Sequence, residues 1–202
     1  MIATNAPAPK LNIVVLAAGF SSRLGQPKAL AQIHGVSLLR RTVKLAAALR
    51  AARIIVIVPP AAGRYCAQAR HRGVTLARNP HRGQGLSSSV RCGLKHAWYC
   101  AAVLLLPVDL ANLKLHELSR LVQRWQAAPG RIYATRMDTR GVTPLILPKR
   151  LFPRALRIIG DMGLRGLLAE LPVAQRELVE LPSARIDIDT ASDLAAARRR
   201  WR

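Results

Sequence analysis

Leu16-Ala17-Ala18-Gly19-Phe20-Ser21-Ser22-Arg23-Leu24-Gly25-Gln26-Pro27-Lys28 is the stretch on which the fold turns. It continues the apolar run Ile13-Val14-Val15-Leu16, which reads as a buried strand closed by a turn signal. A strand that breaks into a Gly/Ser loop suits the carboxyl edge of a sheet. Gly19 and Gly25 carry no Cβ, so backbone N–H groups there can approach an anion closely. Ser21 and Ser22 add hydroxyl donors. Arg23 offers a fork and Lys28 a point charge to phosphate oxygens. On this chemistry alone, a phosphate cradle and a solvated surface turn both stay open.

Two familiar phosphate loops are excluded. A Walker A loop ends in Gly-Lys-Ser/Thr, but Gln26 follows Gly25 and Ala29 follows Lys28. The dinucleotide fingerprint needs two glycines one residue apart, and the stretch has no such pair. What it resembles is the signature of the MobA-like NTP transferase family, Leu-x-Ala-Gly-x-Ser-x-Arg-x-Gly-x-x-Lys. Ala-Ala-Gly with Pro-Lys is similar to the molybdenum cofactor cytidylyltransferase (MocA-like) branch, where the guanylyltransferase branch usually has Ala-Gly-Gly. The resemblance implies that Ala17, Ala18, Gly19, Ser21, Ser22, Arg23, Gly25 and Lys28 bind nucleotide, and that Arg23 and Lys28 are catalytic.

At 202 residues the chain can bury one sizeable core, so a single domain is expected. With 50% hydrophobic and only 4% aromatic residues, that core is aliphatic. Lys and Arg outnumber Asp and Glu 32 to 10, a formal charge of +22 that attracts polyanions. The cations are scattered along the chain, as on a solvated surface, and lack the interleaved aromatics of a single-strand binder, which argues against nucleic acid. Cys66, Cys92 and Cys100 have neither metal-ligand nor C-x-x-C spacing and read as reduced, mostly buried thiols of a cytoplasmic protein. No apolar run approaches a membrane span, and residues 1–10 read as a flexible arm ahead of one domain over 11–202.

Apolar runs alternate with helical stretches. Strands are expected at 12–17, 53–58, 74–77, 101–106, 132–135, 144–147 and 185–188. Helices are expected at 87–97, 115–127, 164–171 and 190–200, and Leu39, Val43, Ala46 and Leu49 share one helical face. Alternation of this kind implies an α/β fold: a doubly wound, mostly parallel sheet whose ligands bind outside the carboxyl ends of the strands. The resemblance makes it a Rossmann-like nucleotidyltransferase fold.

Further candidates follow in chain order. Asn79-Pro80 starts a turn, and Ser87, Ser88 and Ser89 are expected to cap the next helix. The segment resembles the family's Asn-Pro-x-x-x-x-Gly-x-x-x-Ser, which implies nucleobase contacts from Asn79, Gly85 and Ser89. Asp109 ends the buried run Val103-Leu104-Leu105-Leu106-Pro107-Val108, where a carboxylate can hold Mg²⁺ or cap a turn. Ala111 replaces the Pro of the family's Asp-x-Pro. Thr143 stands where relatives have the His of Gly-His-Pro, and Gly160-Asp161-Met162-Gly163-Leu164-Arg165 matches the cytidylyltransferase branch in full. The resemblance therefore implies acceptor binding by Thr143, Asp161 and Arg165. Asp187 and Asp189, two apart on an expected strand, share a face. Asp189 is the second expected Mg²⁺ ligand, while Thr190 and Asp193 form a capping box.

Taken together, the resemblance implies transfer of CMP from CTP to the phosphate of molybdopterin, with Mg²⁺ as cofactor and pyrophosphate released. It also implies a molybdoenzyme maturation partner that receives the product. A nucleotidyltransferase for a phosphosugar or another small phosphate, and a non-catalytic basic protein that binds nucleotide or nucleic acid, remain as alternatives.

Overall fold

In the computed structural model, which describes residues 9–136, 142–160 and 163–200, the first strand is buried along its whole length and feeds two cores. Among the described residues the strands are β1 (Leu11–Leu16), β2 (Gln32–Ile33), β3 (Val36–Ser37), β4 (Arg53–Val58), β5 (Val74–Arg78), β6 (Ala102–Pro107), β7 (Ile132–Thr135), β8 (Leu145–Pro148) and β9 (Arg176–Val179). The helices are α1 (Leu38–Ala48), α2 (Gly63–Ala69), α3 (Leu86–His96), α4 (Leu115–Ala127), α5 (Phe152–Ala155), α6 (Gly163–Ala169) and α7 (Ala191–Arg200). Seven strands form one sheet in the order β5-β4-β1-β6-β8-β7-β9, and β2 and β3 make a small hairpin apart from it.

Strands β5, β4, β1 and β6 run parallel. β8 lies antiparallel to both β6 and β7, and β9 is parallel to β7. Successive strand residues face opposite ways. Ile13 and Val15 therefore join Ile54, Val56, Leu104 and Leu106 under α1, α2 and α4. Val14 and Leu16 join Ile55, Ile57, Val103 and Leu105 under α3, α5 and α6. Strands covered on both faces need continuous apolar runs, which is why these segments lack a polar–apolar alternation. The expected mostly parallel, doubly wound α/β sheet is present.

Three expectations need correction. Residues 185–188 are not a strand: Pro182–Arg185 form a short 3₁₀ turn, and β9 supplies the edge strand. Ile188 is fully buried, but against Leu24, Ile33, Leu38, Leu194 and Ala197, outside the sheet. β9 was hidden because its Arg-Glu-Leu-Val sequence is half polar, as suits an edge. Secondly, Ser87, Ser88 and Ser89 do not cap α3. Gly85 is the N-cap, at φ 79° and ψ −172°, and the Ser87 and Ser88 hydroxyls donate to the carbonyls of Gln84 and Gly85. Thirdly, of the three free cysteines only Cys100 is buried, and Cys66 is exposed.

The expected capping box is present. Asp193 Oδ2 accepts from Thr190 N at 2.8 Å while Thr190 Oγ1 accepts from Asp193 N at 3.2 Å, the reciprocal capping box at the start of α7. Most of the expected N-terminal arm lies outside the described residues, but the Lys10 carbonyl already accepts from Ala101 N. No helix among the described residues is long and apolar enough to cross a membrane.

Helix α3 crosses β1 at its closest at Gly93. A Cβ there would meet both methyls of Val14, one at 3.2 Å and the other nearer still. Gly93→Ala gains about 1 kcal/mol of helix propensity but overpacks the contact at about 1–3 kcal/mol. Its urea midpoint should fall at unchanged m-value, by an amount equivalent to a net loss of up to about 2 kcal/mol.

Candidate functional site

The carboxyl ends of β1 and β6 open into a cleft of about 320 Å³. One wall is the loop after β1, from Leu16 to Arg23, with Lys28. Arg82, Gly85, Leu86 and Ser89 form the second wall, and Pro107, Val108, Asp109 and Asp189 the floor. The cleft therefore brings together Ala17, Ala18, Gly19, Ser21, Ser22, Arg23, Lys28, Gly85, Ser89, Asp109 and Asp189 from the sequence candidates.

The loop is held by its own side chains. Ser21 adopts the left-handed conformation, φ 58° and ψ 37°, which is uncommon outside glycine. Its Oγ accepts from Lys28 N at 2.9 Å, so the hydroxyl staples the two ends of the loop together. Leu24 is buried beside Ile188 and Leu194 and pins the middle of the loop to the C-terminal segment. Ile188 N in turn donates to the Asp109 carbonyl at 3.1 Å. Asp189 thus reaches the cleft through a non-sheet segment anchored by Ile188, and the same-face argument from an expected strand does not apply.

Lys28 is the meeting point. Its Nζ donates to Asp109 Oδ2 at 3.2 Å and to Asp189 Oδ1, while Arg23 pairs with Asp189 Oδ2 at 2.8 Å. Burial alone would lower the Lys28 pKa, but the charges of Asp109 and Asp189 and their hydrogen bonds outweigh it and hold the ammonium above its ordinary 10.5. Asp109 is pushed above its ordinary 3.8, first by burial and then by the charges of Asp189 and Asp187, against the opposing pull of Lys28. Both groups hold their protons more tightly than in water, for different reasons: Lys28 because two carboxylates surround its ammonium, Asp109 chiefly because it is buried. Lys28 and Arg23 together balance the charges of Asp109 and Asp189. The carboxylate pair could instead hold a hard divalent cation, since Mg²⁺ takes oxygen donors and needs only one or two carboxylates when substrate phosphates complete its shell.

Several candidates lie elsewhere. The Asn79 amide is spent inward: Nδ2 donates to Ser88 Oγ at 2.8 Å and Ser89 Oγ at 3.1 Å, and Oδ1 accepts from His81 N. It is 1% exposed and braces Ser89 from behind, so base contact by Asn79 itself is corrected to support of a cleft residue. Ala17 N donates to the Ile57 carbonyl, which takes that donor from any phosphate. Gly25 closes the short turn Ser22–Leu24 outside the cleft walls. Thr143 and Arg165 are outside those walls too. The register Leu105↔Leu145 nevertheless puts Thr143 at the same sheet edge as Asp109. Asp161 lies outside the described residues, but the Gly160 carbonyl accepts from Ser87 N, fastening that motif to the start of α3. Sequence reasoning missed Phe20 and Arg82, whose guanidinium carbon stands 4.1 Å from the Phe20 ring centroid. An aromatic side chain inside a Gly/Ser loop was the available signal.

Comparison with known proteins gives the family and the fold. The model of the MobA-like NTP transferase domain matches residues 13–177. A probable molybdenum cofactor guanylyltransferase of Rhodopirellula baltica is 30% identical, over 94% of this chain and 92% of that protein. One of Trichormus variabilis is 31% identical, over 92% and 89%. Both carry the guanylyl name, so these relatives do not support the cytidylyl branch suggested by Ala-Ala-Gly. Among solved structures, Rv0371c of Mycobacterium tuberculosis superposes with a TM-score of 0.78 at 25% identity, over 96% of this chain and 100% of that one. The mycobacterial protein has also been solved in complex with manganese, a structure 23% identical with a TM-score of 0.73 that covers 95% of this chain and 99% of that one.

A cation held by the carboxylate pair would have a measurable consequence. At a concentration about a hundredfold above its dissociation constant, a cation bound only by the folded state adds about 2.7 kcal/mol. For a chain of this size that raises the thermal midpoint by roughly 5–10 °C. Mg²⁺ should produce such a rise at neutral pH, and Asp109→Asn should lose it. Because folded Asp109 takes its proton at a higher pH than an ordinary aspartate, the rise should shrink on acidification before the usual 3.8 is reached.

Proposed function

The chain belongs to the MobA-like NTP transferase family and is a nucleotidyltransferase, and from that premise we propose that it transfers CMP from CTP to the phosphate of a molybdopterin-type acceptor. The observation that supports this most is Lys28 lying between Asp109 and Asp189 at the base of a Gly/Ser loop. A loop with backbone and hydroxyl donors, two cations and two carboxylates suits a nucleoside triphosphate with its metal. The whole of 11–202 is read as one domain, because α7 packs on the β2–β3 hairpin: Leu194 and Ala197 cover Ile33, and Arg198 Nε donates to the Gln32 carbonyl. Free cysteines, Cys66 among them exposed, suit a cytoplasmic enzyme.

In the reaction an acceptor phosphate oxygen attacks the α-phosphorus in line. The new P–O bond forms as the bond to the β-phosphate oxygen breaks, and pyrophosphate leaves with the electron pair. The nucleophile is already an anion, so no general base is needed, and catalysis is positioning and charge stabilisation. Asp109 and Asp189 would hold Mg²⁺, which when bound neutralises phosphate charge. Arg23 and Lys28 hold the triphosphate and stabilise the departing charge, with Ala18, Gly19, Ser22 and the fixed loop around Ser21 cradling it. Gly85 and Ser89 face the nucleoside. Thr143, Asp161 and Arg165 would receive the acceptor, and a molybdoenzyme maturation partner would take the product.

The relatives' name favours a second reading, GTP in place of CTP, with the same residues in the same roles. Pyrophosphate release with each NTP in turn, with and without molybdenum cofactor and in the presence of Mg²⁺, tests both. Cofactor-dependent release with CTP alone supports the first reading and with GTP alone the second; release with a sugar phosphate as acceptor would overturn both. Lys28→Met should lower turnover by roughly 10²–10³, the scale for losing one preorganised charge donor. It should also bind Mn²⁺ at least as tightly as the parent, measured by electron paramagnetic resonance, because the competing ammonium is gone. Weaker Mn²⁺ binding would argue against the carboxylate pair as the metal site.

A further inference from the structure

Phe20 stands apart from the aromatic anchors of the core, Trp125, Tyr133 and Phe152, and like Trp98 and Tyr99 it is exposed. The chain has only two phenylalanines; Phe152 is fully buried, whereas Phe20 is 58% exposed at the cleft mouth. Its presentation is built in. Phe20 lies next to Ser21, whose left-handed backbone is held by the bond from Lys28 N to its Oγ. The guanidinium of Arg82, from the turn that precedes α3, rests on the ring at 4.1 Å. The two residues come from loops after β1 and β5, so their stack spans the end of the intervening β4 and roofs the cleft.

We propose that the face of Phe20 now covered by the Arg82 guanidinium is the stacking surface for the nucleobase, which a nucleotide takes over when it enters the cleft. The inference rests on the cleft being an NTP site. Magnitudes favour the exchange. An exposed cation–π contact is worth a factor of about two to five in an equilibrium constant. Base–aromatic stacking is worth about five- to a hundredfold. The base therefore displaces the guanidinium, and Arg82 stays at the mouth as a cation facing an anionic ligand. Stacking needs only a π-face, so this surface contributes affinity for any base, and selection among bases falls to Gly85, Leu86 and Ser89.

Calorimetric titration of the full chain in Mg²⁺ with CTP, GTP and inorganic tripolyphosphate separates this role from a structural one. Phe20→Ala should bind both nucleotides about tenfold more weakly and tripolyphosphate as the parent does, with KM raised and kcat nearly unchanged. Phe20→Trp should restore nucleotide affinity. Parallel weakening of nucleotides and tripolyphosphate would make Phe20 a loop-packing residue, and unchanged nucleotide affinity would remove any contact; either result overturns the proposal. A parent protein that binds none of the three ligands would instead overturn the nucleotide reading of the cleft.

Discussion

One ammonium shared by two carboxylates is the constraint around which this molecule is arranged. Lys28, Asp109 and Asp189 lie 81 and 161 residues apart along the chain, yet meet at a single nitrogen. Like charges brought together in a partly buried site repel strongly, and only a cation between them makes the arrangement tolerable. Arg23 adds a second cation on Asp189, while burial and the neighbouring charges of Asp189 and Asp187 hold the Asp109 proton more tightly than usual.

The rest of the fold supplies the rigidity this cluster needs. β1 is clamped between β4 and β6 and buried on both faces, so the loop that leaves it starts from a fixed point. Ile188 ties the Asp189 segment to the Asp109 carbonyl, and the small cluster of Leu24, Ile33, Leu38, Ile188, Leu194 and Ala197 locks loop, hairpin and α7 together. A positioned site on rigid elements is worth more than its individual contacts, because catalysis of this type consists of holding charges still. The antiparallel β8 then turns the sheet edge so that Thr143 arrives beside the end of β6.

The charge of the whole chain works in the same direction. With 32 cations to 10 acids, the surface potential draws anionic ligands toward the molecule. Inside the cleft Arg23, Lys28 and Arg82 stand beside Asp109 and Asp189, so cations and metal-ligating oxygens share one site. A distant attraction for polyanions combined with a local carboxylate pair suits a metal–triphosphate complex better than it suits nucleic acid, whose recognition would call for stacked aromatics along a basic groove.

Much of this was legible in the linear sequence, because hydrophobic runs, a Gly/Ser break and a carboxylate after a buried strand are local signals. They determined the doubly wound sheet, the loop after β1 and the place of Asp109. Local pattern failed where polarity was mixed: β9 reads as half polar, α2 has a weak apolar stripe, and residues 185–188 look like a strand but pack as an anchored turn. Only the tertiary structure decided how side chains are spent. Asn79 turns inward to Ser88 and Ser89, the Ser21 hydroxyl closes its own loop, and Arg82 crosses the cleft to cover Phe20. The reason is physical: residue type states which groups a chain has available, but the partner that satisfies each group is set by whatever the packing of remote segments brings within reach.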